Sequence, residues 1–127
     1  MLSDYAPVPA LAVSDLQRAR DFYEGVLGFS TQEDAPDGVL YASGSGKFLV
    51  YPSAYAGTNK ATAMSLQVPP DAFDAEVDAL RQKGITFQTF EAEGLSWDNG
   101  VASVPGAFRG VWFEDPDGNI LNLETAG

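Results

Sequence analysis

Val13-Ser14-Asp15-Leu16-Gln17-Arg18-Ala19-Arg20-Asp21-Phe22-Tyr23-Glu24-Gly25-Val26-Leu27-Gly28-Phe29 is the stretch that decides the fold: it holds a helix start, a helix face and a helix stop in succession. Ser14 offers an N-cap side chain, and Gln17 stands where a capping box needs it. Leu16, Ala19, Phe22, Tyr23, Val26 and Leu27 recur at three- and four-residue spacing and make one apolar stripe. Gly28 supplies the left-handed residue that ends such a helix. Gly25 inside it costs about 1 kcal/mol relative to Ala, so the last turn is expected to be loose.

Before this helix, residues 8–13 form a short apolar run that predicts a strand buried on both faces. After it come three further strand candidates. Residues 29–33 are the first, and residues 39–43 follow the turn-forming Ala35-Pro36-Asp37-Gly38. Residues 47–51 follow Ser43-Gly44-Ser45-Gly46, a hairpin loop by composition. Residues 52–60 (PSAYAGTNK) are rich in turn formers and read as a connector.

The pattern then restarts. Residues 63–68 alternate as a strand, Asp71 can cap a helix striped by Phe73, Val77 and Leu80, and Gly84 ends it. Residues 85–90, 110–114 and 120–124 are the remaining predicted strands, the last two joined by the strong turn Asp115-Pro116-Asp117-Gly118. Placing Leu11-Ala12-Val13 over Leu66-Gln67-Val68 brings Gly28 and Gly84 almost into register. Strand, helix, strand, strand, strand occurs twice, an internal duplication of pattern. The expected organisation is one α+β domain over residues 1–127, with module one at about 6–52, a connector at 53–60 and module two at about 61–124.

Composition bounds what such a domain does. The chain has 127 residues, 45% apolar and 20% charged, the balance of a folded protein. No apolar stretch approaches the roughly 20 residues that span a bilayer. The first residues lack a basic segment followed by an apolar run, so a cytoplasmic location is the expectation. Eighteen acids against seven bases give a net charge of −11. A field of that sign repels phosphate backbones and anionic lipid, so neither nucleic acid nor membrane is an expected partner. It attracts a cationic small molecule, although an acidic surface also serves solubility alone. With no His and no Cys, the chain cannot build a histidine-ligated metal site, a disulfide framework or the usual catalytic triads and dyads.

Residues 13–29 resemble the first helix motif of the vicinal-oxygen-chelate superfamily, which includes glyoxalase I, extradiol dioxygenases, fosfomycin-resistance enzymes and bleomycin-resistance proteins. The closing segment Trp112-Phe113-Glu114-Asp115-Pro116-Asp117-Gly118-Asn119-Ile120-Leu121-Asn122-Leu123-Glu124 is similar to that superfamily's last hairpin. The middle, Phe48-Leu49-Val50-Tyr51-Pro52-Ser53-Ala54-Tyr55-Ala56-Gly57-Thr58, resembles a glyoxalase-like subgroup. The likeness spans nearly the whole chain and is specific for the fold, not for a function.

The resemblance implies two βαβββ modules whose sheets curl around a shared cleft. In the enzymes a divalent metal sits there on four strands, usually on His or Gln, Glu, His and Glu. The corresponding positions here are Val8, Ala63, Asn122 and one of Leu49 or Val50. Together they offer one neutral carbonyl oxygen where a metal needs three or four good donors, so no metal cofactor is expected. A carboxylate-only site using Glu124 with Glu91, Glu93 or Asp98 is the other metal option, but those loop acids read better as solvated charges.

What the resemblance leaves is a cleft of small and neutral groups. Val8, Ala10 and Ala12 are expected to share its wall with Ala63, Ser65, Gln67 and Asn122. Ser65, Gln67 and Asn122 would orient an organic ligand, unless larger neighbours fill the space as core. Trp97 lies in the polar, turn-rich segment Gly94-Leu95-Ser96-Trp97-Asp98-Asn99-Gly100 and reads as an exposed-loop aromatic available for binding. Phe108 could close over the cleft, Tyr51 and Tyr55 could reach its mouth, and Trp112 joins them if its side chain faces inward. The predicted ligand-binding residues are therefore Val8, Tyr51, Ser65, Gln67, Trp97, Phe108, Trp112 and Asn122.

An aromatic cleft in so acidic a protein suits a flat cationic compound, and bleomycin-resistance proteins sequester such drugs without metal. The competing readings are a metal-free isomerase, cyclase or lyase with Glu124, Glu114 or a Tyr as general acid or base, and a scaffold with a vestigial pocket. A homodimer is expected, because sheet edges need cover.

Overall fold

The computed structural model describes residues 1–35 and 37–126. It is an α+β protein with a four-stranded and a five-stranded sheet. The chain divides into two compact units, Met1–Lys60 with Asp115–Asn119, and Ala61–Glu114 with Ile120–Gly127.

Unit 1 begins with strand β1 (Ala10–Val13), then helix α1 (Leu16–Arg20), which runs directly into a π-helical turn, Asp21–Val26. Strands β2 (Ser30–Ala35), β3 (Gly38–Ser43) and β4 (Gly46–Pro52) complete it. The sheet order is β1-β4-β3-β2, with β1 parallel to β4 and the other pairs antiparallel. Its core lies on the helix side, where Leu11, Val13, Val39, Tyr41, Phe48 and Val50 are buried with Ala19 and Tyr23. The ring of Tyr23 packs 5.7 Å from that of Phe48 and 5.9 Å from that of Tyr41.

Several local expectations are corrected. β1 starts at Ala10, not at Val8, and only one of its faces is buried: Ala10 is exposed and Ala12 half-buried. Pro7 and Pro9 have no N–H to give a ladder, so the sheet begins only after them, with Leu49 N–H donating to the Pro9 carbonyl at 2.8 Å. Asp15, not Ser14, caps α1, its Oδ1 accepting from Arg18 N–H at 3.1 Å. Ser14 donates instead to Asp117, and Gln17 to Asp21. The loose last turn expected around Gly25 is the π-helical turn, with Leu27 N–H donating to Phe22 at 2.9 Å. The expected turn at 35–38 includes Pro36, which lies outside the described residues.

The Asp115–Asn119 turn is part of unit 1 although it joins two strands of unit 2. Asp115 is 4% exposed, and each of its oxygens takes a pair of donors. Oδ1 accepts from the N–H groups of Asp117 (2.9 Å) and Asn119 (2.8 Å); Oδ2 accepts from Tyr23 Oη and Asn119 Nδ2, both at 2.8 Å. Asn119 Nδ2 also donates to the Ala12 carbonyl at 2.8 Å. A carboxylate so thoroughly bonded tolerates burial that would otherwise be costly.

Unit 2 holds strand β5 (Thr62–Gln67), helix α2 (Pro70–Gln82), and strands β6 (Ser96–Asp98), β7 (Val101–Val104), β8 (Phe108–Glu114) and β9 (Ile120–Ala126). Its sheet order is β5-β9-β8-β7-β6, with β5 parallel to β9. Phe73 and Val77 of α2 pack on Val111 and Leu123, joined by Leu66, Leu80, Phe87 and Val101. Pro69, not Asp71, is the N-cap of α2, and Pro70 occupies the first turn, where its fixed φ and missing N–H are no handicap.

Residues 85–90 do not form the predicted strand: Gln88 makes an isolated bridge to Trp112, its N–H donating at 2.8 Å. The edge of β8 is taken up to Gly110 by β7, through Val104↔Phe108 and Ala102↔Gly110. β7 in turn is held by the β6 hairpin, which leaves the earlier segment a single point of attachment.

Candidate ligand-binding site

Strand alternation separates the side chains of unit 2 into two sets. Val111 and Leu123 pack with α2 in the core, and Leu121, on the same side of β9 as Leu123, is buried too. On the opposite face the register brings Ser65 beside Asn122 and Gln67 beside Glu124, with Trp112 beside Asn122 and Gly110 beside Glu124. Six predicted residues, Ser65, Gln67, Trp97, Phe108, Trp112 and Asn122, thus lie on this one face of one sheet.

Its polar half is a closed network. Asn122, 3% exposed, donates through Nδ2 to the Val111 carbonyl at 3.2 Å. Ser65 Oγ lies 2.5 Å from Asn122 Oδ1 and 3.2 Å from Glu124 Oε1. Gln67 Nε2 donates to Ser65 Oγ at 2.8 Å and to Glu124 Oε1 at 2.7 Å. The carboxylate is therefore gripped through one oxygen, and both amide protons of Gln67 are directed inward.

The other half is aromatic. The Phe90 ring stands edge-on to Trp97 at 5.2 Å and to Trp112 at 4.9 Å, and Phe108 is 6.0 Å from Trp112. Edge-to-face geometry at these separations is favourable in itself and fixes the rings. Gly110 makes room for the last of them. A Cβ there would sit 2.8 Å from Phe108 Cζ and 3.4 Å from Asn122 Nδ2, so the Phe108 ring lies over Gly110 and next to the polar network. Beyond Phe90 and Trp97 the segment between Gln88 and β6 opens a cavity of about 660 Å³, walled also by Glu91, Glu93 and Leu95.

Trp97 is not a loop residue. It sits in β6 opposite Ala102 and is half-buried. The signal that marks this is Asn99-Gly100: Asn99 at φ +49° and Gly100 at φ +81° make the two-residue hairpin turn joining β6 to β7. Sequence reasoning also missed Phe90 and Gly110 as contributors. By composition Phe90 only ends the strand predicted at 85–90, and the value of Gly110 lies in a ring that reaches it from Phe108.

The other predicted residues belong to unit 1. Val8 precedes β1 and is 40% exposed. Tyr51 is half-buried on β4, and by alternation points away from the face that carries Phe48 and Val50. Tyr55 is exposed. The tyrosines the fold buries are Tyr23 and Tyr41, and burial pushes both hydroxyls well above the usual tyrosine range. Asp115 adds to the effect on Tyr23, and Glu24, which accepts from Tyr41 at 2.8 Å, adds to that on Tyr41. Both are structural groups.

The residues standing where the metal enzymes hold their ion do not suit one. Val8, Ala63 and either of Leu49 and Val50 have no side-chain donor, and the carbonyl oxygen of Asn122 is engaged by Ser65. Among the described residues, no three His, Cys, Asp or Glu side chains are grouped so as to hold a metal. Glu124 is tied to Gln67, whereas Glu114, Glu91, Glu93 and Asp98 are exposed.

A family model described as Glyoxalase/Bleomycin resistance protein/Dioxygenase superfamily matches residues 6–123. The chain belongs to this superfamily. Solved structures share the superfamily fold at low identity. The fosfomycin resistance protein FosX from Listeria monocytogenes, complexed with Mn(II) and sulfate, matches with a TM-score of 0.72 and 12% identity over 97% of this chain and 90% of that one. TnmS3, an antibiotic binding protein from Streptomyces sp. CB03234, matches with a TM-score of 0.62 and 22% identity over 97% and 98%. A glyoxalase/bleomycin resistance protein/dioxygenase from Nocardioides matches at 0.66 and 17% over 96% and 85%. No curated protein is detectably similar to the chain in sequence. No helix among the described residues is long and apolar enough to cross a membrane.

Proposed function

We propose that this superfamily member binds a flat, cationic aromatic compound, an antibiotic being the leading class, without a metal, and sequesters it in the cytoplasm. The observation that carries the reading is the single face of unit 2 on which Phe90, Trp97, Trp112 and Phe108 adjoin the Ser65–Gln67–Asn122–Glu124 network. Aromatic rings give a flat molecule a stacking surface, and the quadrupole of each ring favours a positive charge above it. The net charge of −11 raises the local concentration of any cation. The similarity to TnmS3, an antibiotic binding protein, supports an antibiotic as the class of ligand.

Chemistry on the ligand is the rival reading, and Glu124 is its best acid or base because it alone of the candidate glutamates is held by the network. Titrating 9-aminoacridine into the protein separates the two. Saturable quenching of tryptophan fluorescence, with the compound recovered unchanged by mass spectrometry, is the expected result. Absence of quenching at millimolar ligand overturns the binding reading, and conversion of the ligand overturns the sequestration reading.

The proposal includes a homodimer, since the outer strands of each unit's own sheet are β1 and β2, and β5 and β6. A sedimentation mass of one chain at micromolar concentration would contradict it.

A further inference from the structure

We infer that the polar end of this face selects cations that donate hydrogen bonds, protonated amines, anilines and amidines, over cations that carry charge without an N–H, and that Glu124 is the residue that discriminates. The inference rests on the binding reading above and adds to it which positive groups are accepted.

The argument is an accounting of protons. Gln67 has a pair of amide protons, and both are spent inside the network, on Ser65 Oγ at 2.8 Å and Glu124 Oε1 at 2.7 Å. The single hydroxyl proton of Ser65 is spent on Asn122 Oδ1 or Glu124 Oε1. Asn122 is buried and already gives Nδ2 to the Val111 carbonyl. Glu124 Oε2 and Gln67 Oε1 have no hydrogen-bond partner among the described residues. The capacity left over on Glu124 and Gln67 is therefore acceptor capacity, and one of the acceptors is charged. A group that only accepts is rejected there, and an N–H cation is matched on both charge and hydrogen bonding.

Placement makes this discrimination useful. Glu124 stands opposite Gly110, and the Phe108 ring lies over Gly110. The acceptor pair is thus one strand position from the start of the aromatic surface. A flat ligand stacked on Phe108 and Trp112 would bring an amino substituent at its edge towards Glu124. A quaternary nitrogen at the same edge would gain the charge attraction and forgo the hydrogen bond.

The test compares cations of like shape and unit charge on the intact protein: 9-aminoacridinium, which carries N–H donors, and 10-methylacridinium, which carries none. Isothermal titration calorimetry of the wild type is expected to show about tenfold tighter binding of 9-aminoacridinium, the size of one charge-assisted hydrogen bond. Glu124→Gln is expected to remove that preference, weakening 9-aminoacridinium about tenfold more than 10-methylacridinium, which loses the charge attraction alone. Equal affinity of the wild type for both cations overturns the inference and leaves the binding reading standing. So does an equal loss for both cations in the variant, which would reduce Glu124 to a source of field. Failure of either cation to bind the wild type overturns the binding reading itself. If Glu124→Gln does not fold by circular dichroism, Gln67→Met, which leaves both Glu124 oxygens open to a donor, takes its place: it is expected to keep or widen the preference, and a preference that vanishes with the carboxylate still present counts against the inference.

Discussion

The two units repeat one pattern of strands and helix but spend their aromatic residues on opposite sides of the sheet. In unit 1 Tyr23, Tyr41 and Phe48 fill the space between helix and sheet, all at or below 1% exposure. Their hydroxyls are tied down, Tyr23 to Asp115 and Tyr41 to Glu24. In unit 2 the helix side mixes Phe73, Phe87 and Phe113 with aliphatic side chains, while Phe90, Trp97, Phe108 and Trp112 gather on the other face and stay partly open. Rings in the first unit stabilise the fold. The four on the open face of the second are fixed by one another and keep part of their surface exposed, as the proposed binding role requires.

The contrast breaks most sharply at Asp115. Asp115→Ala removes the acceptor of Tyr23 Oη, Asn119 Nδ2 and two backbone N–H groups at once. It is expected to cost about 3 kcal/mol or more in urea unfolding, because buried donors are left unpaired. Trp112→Ala acts on the opposite side of the comparison. It should weaken 9-aminoacridinium by about 30-fold, roughly 2 kcal/mol, while the urea midpoint moves less than for Asp115→Ala.

Alkaline pH sharpens the same distinction. Tyr23 and Tyr41 hold their protons to higher pH folded than unfolded, chiefly because they are buried. Their contribution is complete below the unfolded value of about 10 and is lost as pH rises beyond it. Stability measured by denaturant is therefore expected to fall above about pH 10, and Tyr41→Phe to flatten that fall. A slope unchanged by the substitution would contradict the assignment.

Gly110→Ala is a smaller disturbance. The new methyl meets the far end of the Phe108 ring, which can swing aside, so the protein should fold and lose about fivefold in affinity for the acridinium. The smallest effect expected is none: excess EDTA should leave acridinium binding unchanged, and loss of binding that added Mn²⁺ restores would count against the metal-free reading.

Much of the fold was legible because it depends on local chemistry. The apolar stripe of residues 16–27, the glycine stops at Gly28 and Gly84 and the Asp115–Asn119 turn all act within a few residues of one another. Where two local candidates competed, sequence could not arbitrate. Ser14 and Asp15 are both good caps, and the choice went to Asp15 because Asp117, about a hundred residues away, engages Ser14. Residues 85–90 have strand composition, but β7 takes the β8 edge up to Gly110 and Gln88 makes only one bridge beyond it, at Trp112.

The sequence by itself determined that a strand, a helix and then further strands occur twice, the absence of histidine and cysteine, and the acidic charge, since these are properties of residue order and kind; it did not show β6 and β7, the strands unit 2 has in place of the one expected at 85–90. Strand alternation also determined which side chains share a face within β5 and within β9, because the period is local, whereas the face taken by Trp112 on β8 came from the register. Only the tertiary structure decided that Phe90 joins Trp97 and Trp112, that Phe108 folds over Gly110, and that the protons of Gln67 turn inward and leave Glu124 with a free oxygen. Each of those depends on groups brought together across strands, where orientation and packing, not residue type, set what remains exposed to a ligand.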